Sequence, residues 1–526
     1  MNMEIASGWA RSKAKSQPKT WTEFRSEVRK VDRDTLLIGA AAESTAIDAG
    51  RTNLQEAKWG LTPWNLAEVA RTSLAWGLPS PNRVNPRTLL DLCGTSSLLI
   101  GQALRIDQLE DFSLGPTLLR TFFEQLPGQR SVSGEIARAR LLFGSASEFP
   151  PGFKPKVMTP GWFEAVTQGI TFDEYVGSIF LIYSIAAQHR GCFSLEWLDD
   201  PRFEGVGEVV GLEALRRTFS EHLLTTVSDF KSTNRKFQDS LPPHLKKFAF
   251  NPLAATPFIE GVAPAPLAPW LQAVKHKAYP PGIYHLGMSE LGEAFSQDLG
   301  FVFQHYVGRQ LRLVQGESTA IPEVSYGTKK QSQDSCDWFL DLPEVLVLIE
   351  CKARQPIEAQ RLGHTNWADS VDRSFGKAIR QLNRTNKDIC KIDATHGVVN
   401  VSKPRFGLVV TLEPFYFNQN WIIRDHLPGA DFPVGVISVE ELEALVMLDA
   451  QELSKQLLLL IQEQGKPPRQ STAVSMGPAL DLAKGRSNPI LDETWGSIPL
   501  FKRLDDIIAR FGETDDVGGG EAFQRA

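Results

Sequence analysis

The sequence predicts an α+β protein: a mainly α-helical N-terminal region over residues 1–240, then a mixed sheet flanked by helices over residues 288–464. Three observations carry this reading. Helix-start signals recur up to about residue 240. Between residues 241 and 287 prolines crowd too closely for regular helix, in LPPHLKKFAFNPLAATPF, VAPAPLAPW and YPPG. Beyond residue 288, short strand-like runs alternate with stretches of helical period.

In the first region Thr20 and Glu23 have the spacing of a capping box, and Thr62 followed by Pro63 places a cap and a first-turn proline before Leu66, Val69 and Ala70. Its most apolar segment, Val176 to Ala187, is too short to span a bilayer and reads as a buried core helix. Residues 241–287 read as a proline-rich connector. An amphipathic helix is expected from Met288 to Val314, with Leu291, Phe295, Leu299, Val302, Phe303 and Tyr306 on its apolar side. Strands are expected at Ile321 to Tyr326, Asp334 to Leu342 and Val345 to Lys352, followed by a long helix from Asp369 to Lys391. Two further strands, Gly407 to Leu412 and Val434 to Ile437, lead to a capping box at Ser438 and Glu441 that opens a last helix through Leu460. Residues 465–526 read as a partly disordered tail, the end of which, GETDDVGGGEAFQRA, lacks the apolar residues needed for a core.

Bulk properties narrow the function. A chain of 526 residues exceeds one hydrophobic core and should divide into roughly two to four domains. The five cysteines, Cys93, Cys192, Cys336, Cys351 and Cys390, form no CxxC pair, and the N-terminus has no signal-peptide pattern. Reduced thiols in a cytoplasmic protein, with no membrane association, are the expectation. A net charge of -6 argues against a surface that coats nucleic acid everywhere, so any such contact must come from a local patch. No GxxxxGK[ST], HExxH or GxSxG motif occurs, which removes sequence support for a nucleotide-driven motor, a zincin or a serine hydrolase.

One constellation stands out by its context. The pattern [DE]-x-K ends at Lys58, Lys231 and Lys352, but only Glu350-Cys351-Lys352 follows a buried-strand run, Val345 to Ile349, with an acid, Asp337, on the strand before. If the chain reverses at Asp341 to Glu344, Asp337 falls opposite Leu348, and Asp337, Glu350 and Lys352 share one face. The two acids would then be diagonal neighbours, roughly 7 to 8 Å apart at the backbone. Two hard oxygen ligands with open positions suit Mg²⁺ or Mn²⁺, and a lysine on the same side can offset charge building on a phosphorane. Those residue types in that order point to phosphodiester hydrolysis.

On these residues, Asp337 in SCDWFLDL and Glu350 with Lys352 in VLVLIECKAR, the segment from about Phe250 to Leu460 resembles the PD-(D/E)XK nuclease superfamily. The resemblance implies a restriction-endonuclease-like domain with Asp337 and Glu350 as metal-binding acids and Lys352 as the active-site lysine. It also implies a metal contact from the backbone carbonyl of Cys351. Where the family's first helix often carries glutamate in F-E-x-Y-V, Phe303-Gln304-His305-Tyr306-Val307 places Gln304. Glu323, on the preceding strand, is a further candidate acid. In the long helix Gln381 resembles a polar residue that some members place near the site. Arg373, Lys377, Arg380, Arg384, Lys387 and Lys391 lie nearly opposite an apolar stripe and could track a phosphate backbone.

The expectation is a Mg²⁺- or Mn²⁺-dependent endonuclease acting on DNA, with RNA left open. A role in bacterial defence against foreign DNA is suggested by superfamily analogy alone. The N-terminal region would sense a trigger, recognise DNA, hold a partner protein or build a homo-oligomer. The alternative is a catalytically inactive nuclease-like module for nucleic-acid binding or assembly, which Gln304 favours.

Overall fold

The computed structural model describes residues 19–500 apart from 52–56, 58, 81–85, 110–114, 201–206, 208–209, 329–330, 364–366, 398, 420–423, 425–426, 428 and 465–472. The glycine-rich end expected to be disordered therefore lies outside the described residues.

Four N-terminal helices, α1 (Trp21–Val28), α2 (Arg33–Asp48), α3 (Pro63–Trp76) and α4 (Pro86–Leu109), surround a core that includes Phe24, Leu37, Leu66 and Leu74. The capping box of α1 forms as expected, with Thr20 and Glu23 satisfying each other's backbone donors. At α3, Pro63 takes the first turn, but the Thr62 hydroxyl makes no cap bond. Further on come α5 (Gly115–Gln125), α6 (Val132–Phe143) and α7 (Phe172–Gln188), the last of which contains the apolar segment expected as a core helix. No helix of the described residues is long and apolar enough to cross a membrane.

The stretch expected as a connector is instead built into two cores. Its prolines do exclude long helix, giving 3-10 turns at Pro243–Phe248 and Pro252–Ala254. They leave β2 (Phe258–Glu260) free to pair in parallel with β1 (Leu224–Thr226). Between the prolines stand apolar side chains with core to fill: Ile259 and Leu267 join the first core, while Phe258, Leu271 and Val274 join a second. Arg71, fully buried on α3, holds the first turn by donating to the carbonyls of Lys246 at 2.6 Å, Lys247 at 3.0 Å and Ala249 at 2.9 Å. Pro280 and Pro281 occupy the first turn of α8 (Pro280–Leu311), where a missing backbone donor is tolerated, so this helix starts ahead of Met288. Gly292, at φ 60° and ψ −143°, breaks it into two segments.

After α8 the chain forms β3 (Thr319–Pro322), the hairpin β4 (Ser325–Thr328) and β5 (Gln331–Asp334), then β6 (Trp338–Asp341) and β7 (Leu346–Lys352). The two strands expected at Ile321 to Tyr326 and Asp334 to Leu342 are thus each divided. Pro322 is the last residue of β3, and the residues between Val324 and Ser335 fold back on themselves as the hairpin. The long helix α9 (Trp367–His396) follows, then β8 (Arg405–Thr411), β9 (Val434–Ser438), α10 (Val439–Leu445) and α11 (Ala450–Gln464). Ser438 and Glu441 cap α10 as expected, but the helix expected to continue to Leu460 stops and restarts. Asp449 and Glu452 cap the second start reciprocally, at 2.8 and 3.0 Å.

Part of the expected tail also belongs to the fold. Residues Ala473–Val474 form edge strand β10, and α12 (Gly477–Ala483) and α13 (Pro489–Gly496) follow. Met476, Ala479, Ile498 and Leu500 are buried in the second core, which accounts for their ordering. The central sheet has six strands in the order β10-β9-β8-β7-β6-β3. Strands β7 to β10 run parallel, and β6 runs antiparallel to both β7 and β3.

Strand alternation assigns the two faces of this sheet. Trp338, Leu340, Val347 and Ile349 pack with α6, α7 and α8, so the helical region and the sheet share one core. Phe339, Leu346 and Leu348 pack on the opposite face under Phe375, Ile379 and Leu382 of α9. The first contact is tight: a Cβ on Gly308 of α8 would stand 2.0 Å from the Trp338 ring. Gly308→Ala is therefore expected to lower stability by about 1–3 kcal/mol through overpacking, measured as a lower urea midpoint.

Candidate active site

The site lies at one end of this sheet, on the face covered by α9. Trp338 pairs with Ile349 and Asp341 with Leu346, so extending the ladder puts Asp337 opposite Glu350. This register is two residues from the one expected from the turn. An even shift keeps every side chain on its face, so Asp337, Glu350 and Lys352 still share one side. They become direct cross-strand neighbours instead of diagonal ones. On the other flank the β3–β6 ladder continues through Glu323 N–H, which donates to the Asp337 carbonyl at 2.8 Å. Glu323, Asp337 and Glu350 therefore form a row across three strands.

Hydrogen bonds hold parts of this row in place. The Cys351 N–H donates to Asp337 Oδ2 at 2.6 Å, and Lys352 Nζ donates to Glu350 Oε2 at 2.8 Å. Glu350 is 0% exposed, and its second oxygen, Oε1, is buried with no hydrogen-bond partner. Gln304 on α8 hydrogen-bonds the Glu323 carboxylate, and its carbonyl accepts from Trp338 Nε1 at 2.9 Å. The Cys351 thiol belongs to the opposite face, packed against the second core, and burial keeps it un-ionised.

Charges gathered in so little water perturb one another. Burial, then the neighbouring Asp337 charge, pushes Glu350 up to about 8 despite Lys352. Lost hydration around its carboxyl, then Asp337 and Asp334, push Glu323 up to about 7, although its surface remains largely exposed. Asp337 is raised by burial against the pull of Lys352 and the Cys351 N–H. Burial opposes the Lys352 ammonium, but Glu350 and Asp337 together outweigh it and raise its pKa.

Helix α9 adds cations. Val371, Phe375, Ala378, Ile379, Leu382 and Ile389 are buried, while Arg373, Lys377, Arg380, Arg384, Lys387 and Lys391 are exposed, as their spacing predicted. Lys377 lowers the cost of charge on Asp337, and Arg384 does so for Glu323. Gln381 sits between these two cations along the helix, partly exposed, and makes no hydrogen bond among the described residues. The place of Glu323 in the row was the least legible part, because it depends on a hairpin that returns the chain to the register where Glu323 meets Asp337.

The donor set suits a hard divalent cation: two carboxyl groups are cross-strand neighbours, and Glu350 Oε1 is buried without a partner. Among the described residues no group of three or more His, Cys, Asp or Glu side chains is gathered closely enough to hold a metal ion as drawn. Asp337 and Glu350 are the pair best placed to do so, with Glu323 adjacent.

These shifts give a pH dependence with a defined sign. Because the folded-state pKa values of Glu350 and Glu323 are raised, the folded protein retains protons that the unfolded chain loses. The contribution of these acids to stability is present below the ordinary glutamate range and is lost as pH rises toward about 8. A cation must compete with those protons. If these acids take up Mg²⁺, the resulting rise in melting temperature is expected to be larger at about pH 8.5 than at about pH 6. Differential scanning fluorimetry checks this, and a shift independent of pH would contradict it.

No protein-family model, curated protein or solved structure matches the chain.

Proposed function

We propose that the protein is a metal-dependent deoxyribonuclease with a restriction-endonuclease-like domain of the PD-(D/E)XK type. The observation that carries the reading is Asp337 placed opposite a buried Glu350 whose Oε1 has no partner, with Lys352 on the same face. Asp337 and Glu350 would hold Mg²⁺ or Mn²⁺, with the Cys351 carbonyl as a further oxygen donor. Such an ion supplies Lewis acidity and a more acidic bound water.

The protein's own groups have separable tasks. Lys352 stays protonated, since its acidic neighbours raise its pKa, so it acts through charge. Its ammonium stabilises the negative charge that builds on the non-bridging oxygens as water attacks phosphorus. Glu323, titrating at about 7, can accept a proton from the attacking water near neutral pH. Gln304 acts through Glu323, orienting its carboxylate, and is a positioning residue. Lys377, Arg380 and Arg373 on α9 would hold the substrate backbone beside the acids. Gln381 has a place between the cations but no contact that gives it a catalytic task.

The neutral Gln304 favours a second reading, a nucleic-acid-binding module without catalysis. Supercoiled plasmid, single-stranded DNA and RNA, each incubated with Mg²⁺, Mn²⁺ or EDTA, separate the two. The nuclease reading expects cutting of DNA that EDTA abolishes. Retained nucleic-acid binding with no cutting under any condition would establish the module.

A further inference from the structure

Residues 144–160, which follow α6, lie along α8 and are pinned to it at both ends. Buried Asp298 of α8 accepts, through Oδ2, the backbone N–H groups of Val157 at 2.7 Å and Met158 at 3.0 Å. Lys156 Nζ donates to Gln297 Oε1 at 2.7 Å. At the other end Glu148 meets Arg309 at 2.9 Å and His305 at 3.5 Å. Gln297, Phe301, His305 and Arg309 recur every four residues, so the segment follows a single stripe of the helix. Its side chains are thus set in place before any ligand arrives, which lowers the cost of binding one.

A stack of phenylalanine rings runs along this stripe. Phe149 stacks on Phe153 with centroids 5.3 Å apart, and Phe153 stacks on Phe301 at 4.1 Å. The stack ends in solvent: Phe301 is 41% exposed, the one phenylalanine among the described residues that is more than a third exposed. Phe153 covers one face of that ring, which leaves the other face and the edge to water. Lys154 and Lys156 are exposed beside Phe153. Glu148, the only acid within residues 144–160, is already paired with Arg309, so the charge left over beside the stack is positive. The active-site row is close by. Gln304 stands one helical turn from Phe301, about 4.5 Å along the axis. Its carbonyl accepts from Trp338, the neighbour of Asp337, and its side chain hydrogen-bonds Glu323.

We propose, building on the nuclease reading, that the exposed Phe301 ring is a stacking platform for an unpaired base of single-stranded DNA, with Lys154 and Lys156 holding the adjoining phosphates. Every base has a flat face that an aromatic ring can continue, and such stacking works together with cations that track the backbone. Inside a duplex those faces are covered by neighbouring bases, and exposing one costs unstacking and unpairing energy. A proline-rich peptide also docks on aromatic grooves, but the two lysines favour a polyanion. The substrate class is therefore DNA whose strand is unpaired beside the scissile phosphate, as in a single strand, a frayed end or a melted stretch of supercoiled DNA. The N-terminal region, through residues 144–160, takes a direct part in holding it.

The test is binding of the full chain, in EDTA, to labelled probes of equal length: single-stranded DNA, an abasic strand with the same deoxyribose-phosphate backbone, relaxed duplex DNA and single-stranded RNA. Native protein is compared with Phe301→Leu, which keeps an apolar group against Phe153 but removes the ring, and with Phe301→Trp, which restores one. Circular dichroism checks the fold. Single-stranded DNA is expected to bind tightest, with the abasic strand well below it. Phe301→Leu should lose about fivefold or more on single-stranded DNA and nothing on the abasic strand, and Phe301→Trp should recover the loss. Equal binding of the base-bearing and abasic strands by native protein overturns the proposal. So do tighter binding of duplex or RNA, an unchanged preference in folded Phe301→Leu, and binding of a proline-rich peptide at Phe301 in place of any strand. Incubation of native protein with single-stranded DNA and Mg²⁺ keeps the two claims apart: base-dependent binding without cutting defeats the nuclease reading and leaves the stacking platform standing.

Discussion

Asp337→Asn is expected to reduce metal-dependent DNA cleavage at least about a thousandfold and to weaken Mn²⁺ binding measured by calorimetry. The substitution keeps the size of the side chain and an oxygen able to accept the Cys351 N–H, so the β6–β7 ladder should survive. It removes the negative charge of Asp337, and with it the strongest attraction the site would offer a hard cation. Removing even one electrostatic contributor to a reaction centre commonly costs about a hundred- to a thousandfold in rate. Losing a group proposed to hold the ion should sit at or beyond the upper end. The variant should also lower the pKa of Glu350, because Asp337 is the largest charge effect raising it. A folded Asp337→Asn protein that binds and cleaves as the native one does would show that the row is a structural feature.

Arg138→Ala is expected to destabilise the protein by about 3–5 kcal/mol, the range for removing one partner from a buried ion pair. Arg138, on α6, donates to both oxygens of Glu443 at 2.8 and 2.5 Å and to Glu135 at 2.6 Å. Its side chain is 5% exposed, and those of Glu443 and Glu135 are 3% and 1% exposed. Tyr306 on α8 adds a hydrogen bond to Glu443 at 2.6 Å, and Asn488 donates to the Glu443 carbonyl at 3.0 Å. The network thus joins the helical region, the helix under the sheet and the C-terminal segment. Without Arg138, Glu443 remains buried with no adequate counter-charge and Glu135 keeps only the longer pair with Arg130, at 3.5 Å, so the urea midpoint should fall. Replacing Arg138 by Met together with Glu443 by Gln should cost less than Arg138→Ala, since fewer charges are then stranded. A single-variant loss below about 1 kcal/mol would show that water reaches the network freely.

The elements legible in the sequence were those whose pattern is local. Helix α9 carries its apolar stripe and cationic face in its own spacing, and α10 announces itself through Ser438 and Glu441. The continuous apolar run from Val345 to Ile349 marked β7, and the even register of the turn was enough to place Asp337, Glu350 and Lys352 together. What was not legible depends on partners distant in the chain. Ile259 and Leu267 show their role only against the N-terminal helices, so proline content alone made their segment look like a connector. The strand Ala473–Val474 is two residues long and acquires its identity from the edge of β9. Glu323 is one acid among many until the hairpin closes and sets it across from Asp337. The ion pair of Arg138 with Glu443 spans 305 residues and leaves no local signature.

The most direct test of the central claim is cleavage of supercoiled plasmid by the native protein and by Lys352→Ala, side by side in Mg²⁺ and in EDTA. Lys352 is the group whose charge the reaction would need while phosphorus is attacked, and its ammonium is paired with Glu350 at 2.8 Å. The account predicts cutting by the native protein in Mg²⁺, none in EDTA, and a loss of about a hundredfold or more in the variant. Equal cutting by both proteins in Mg²⁺ would contradict it.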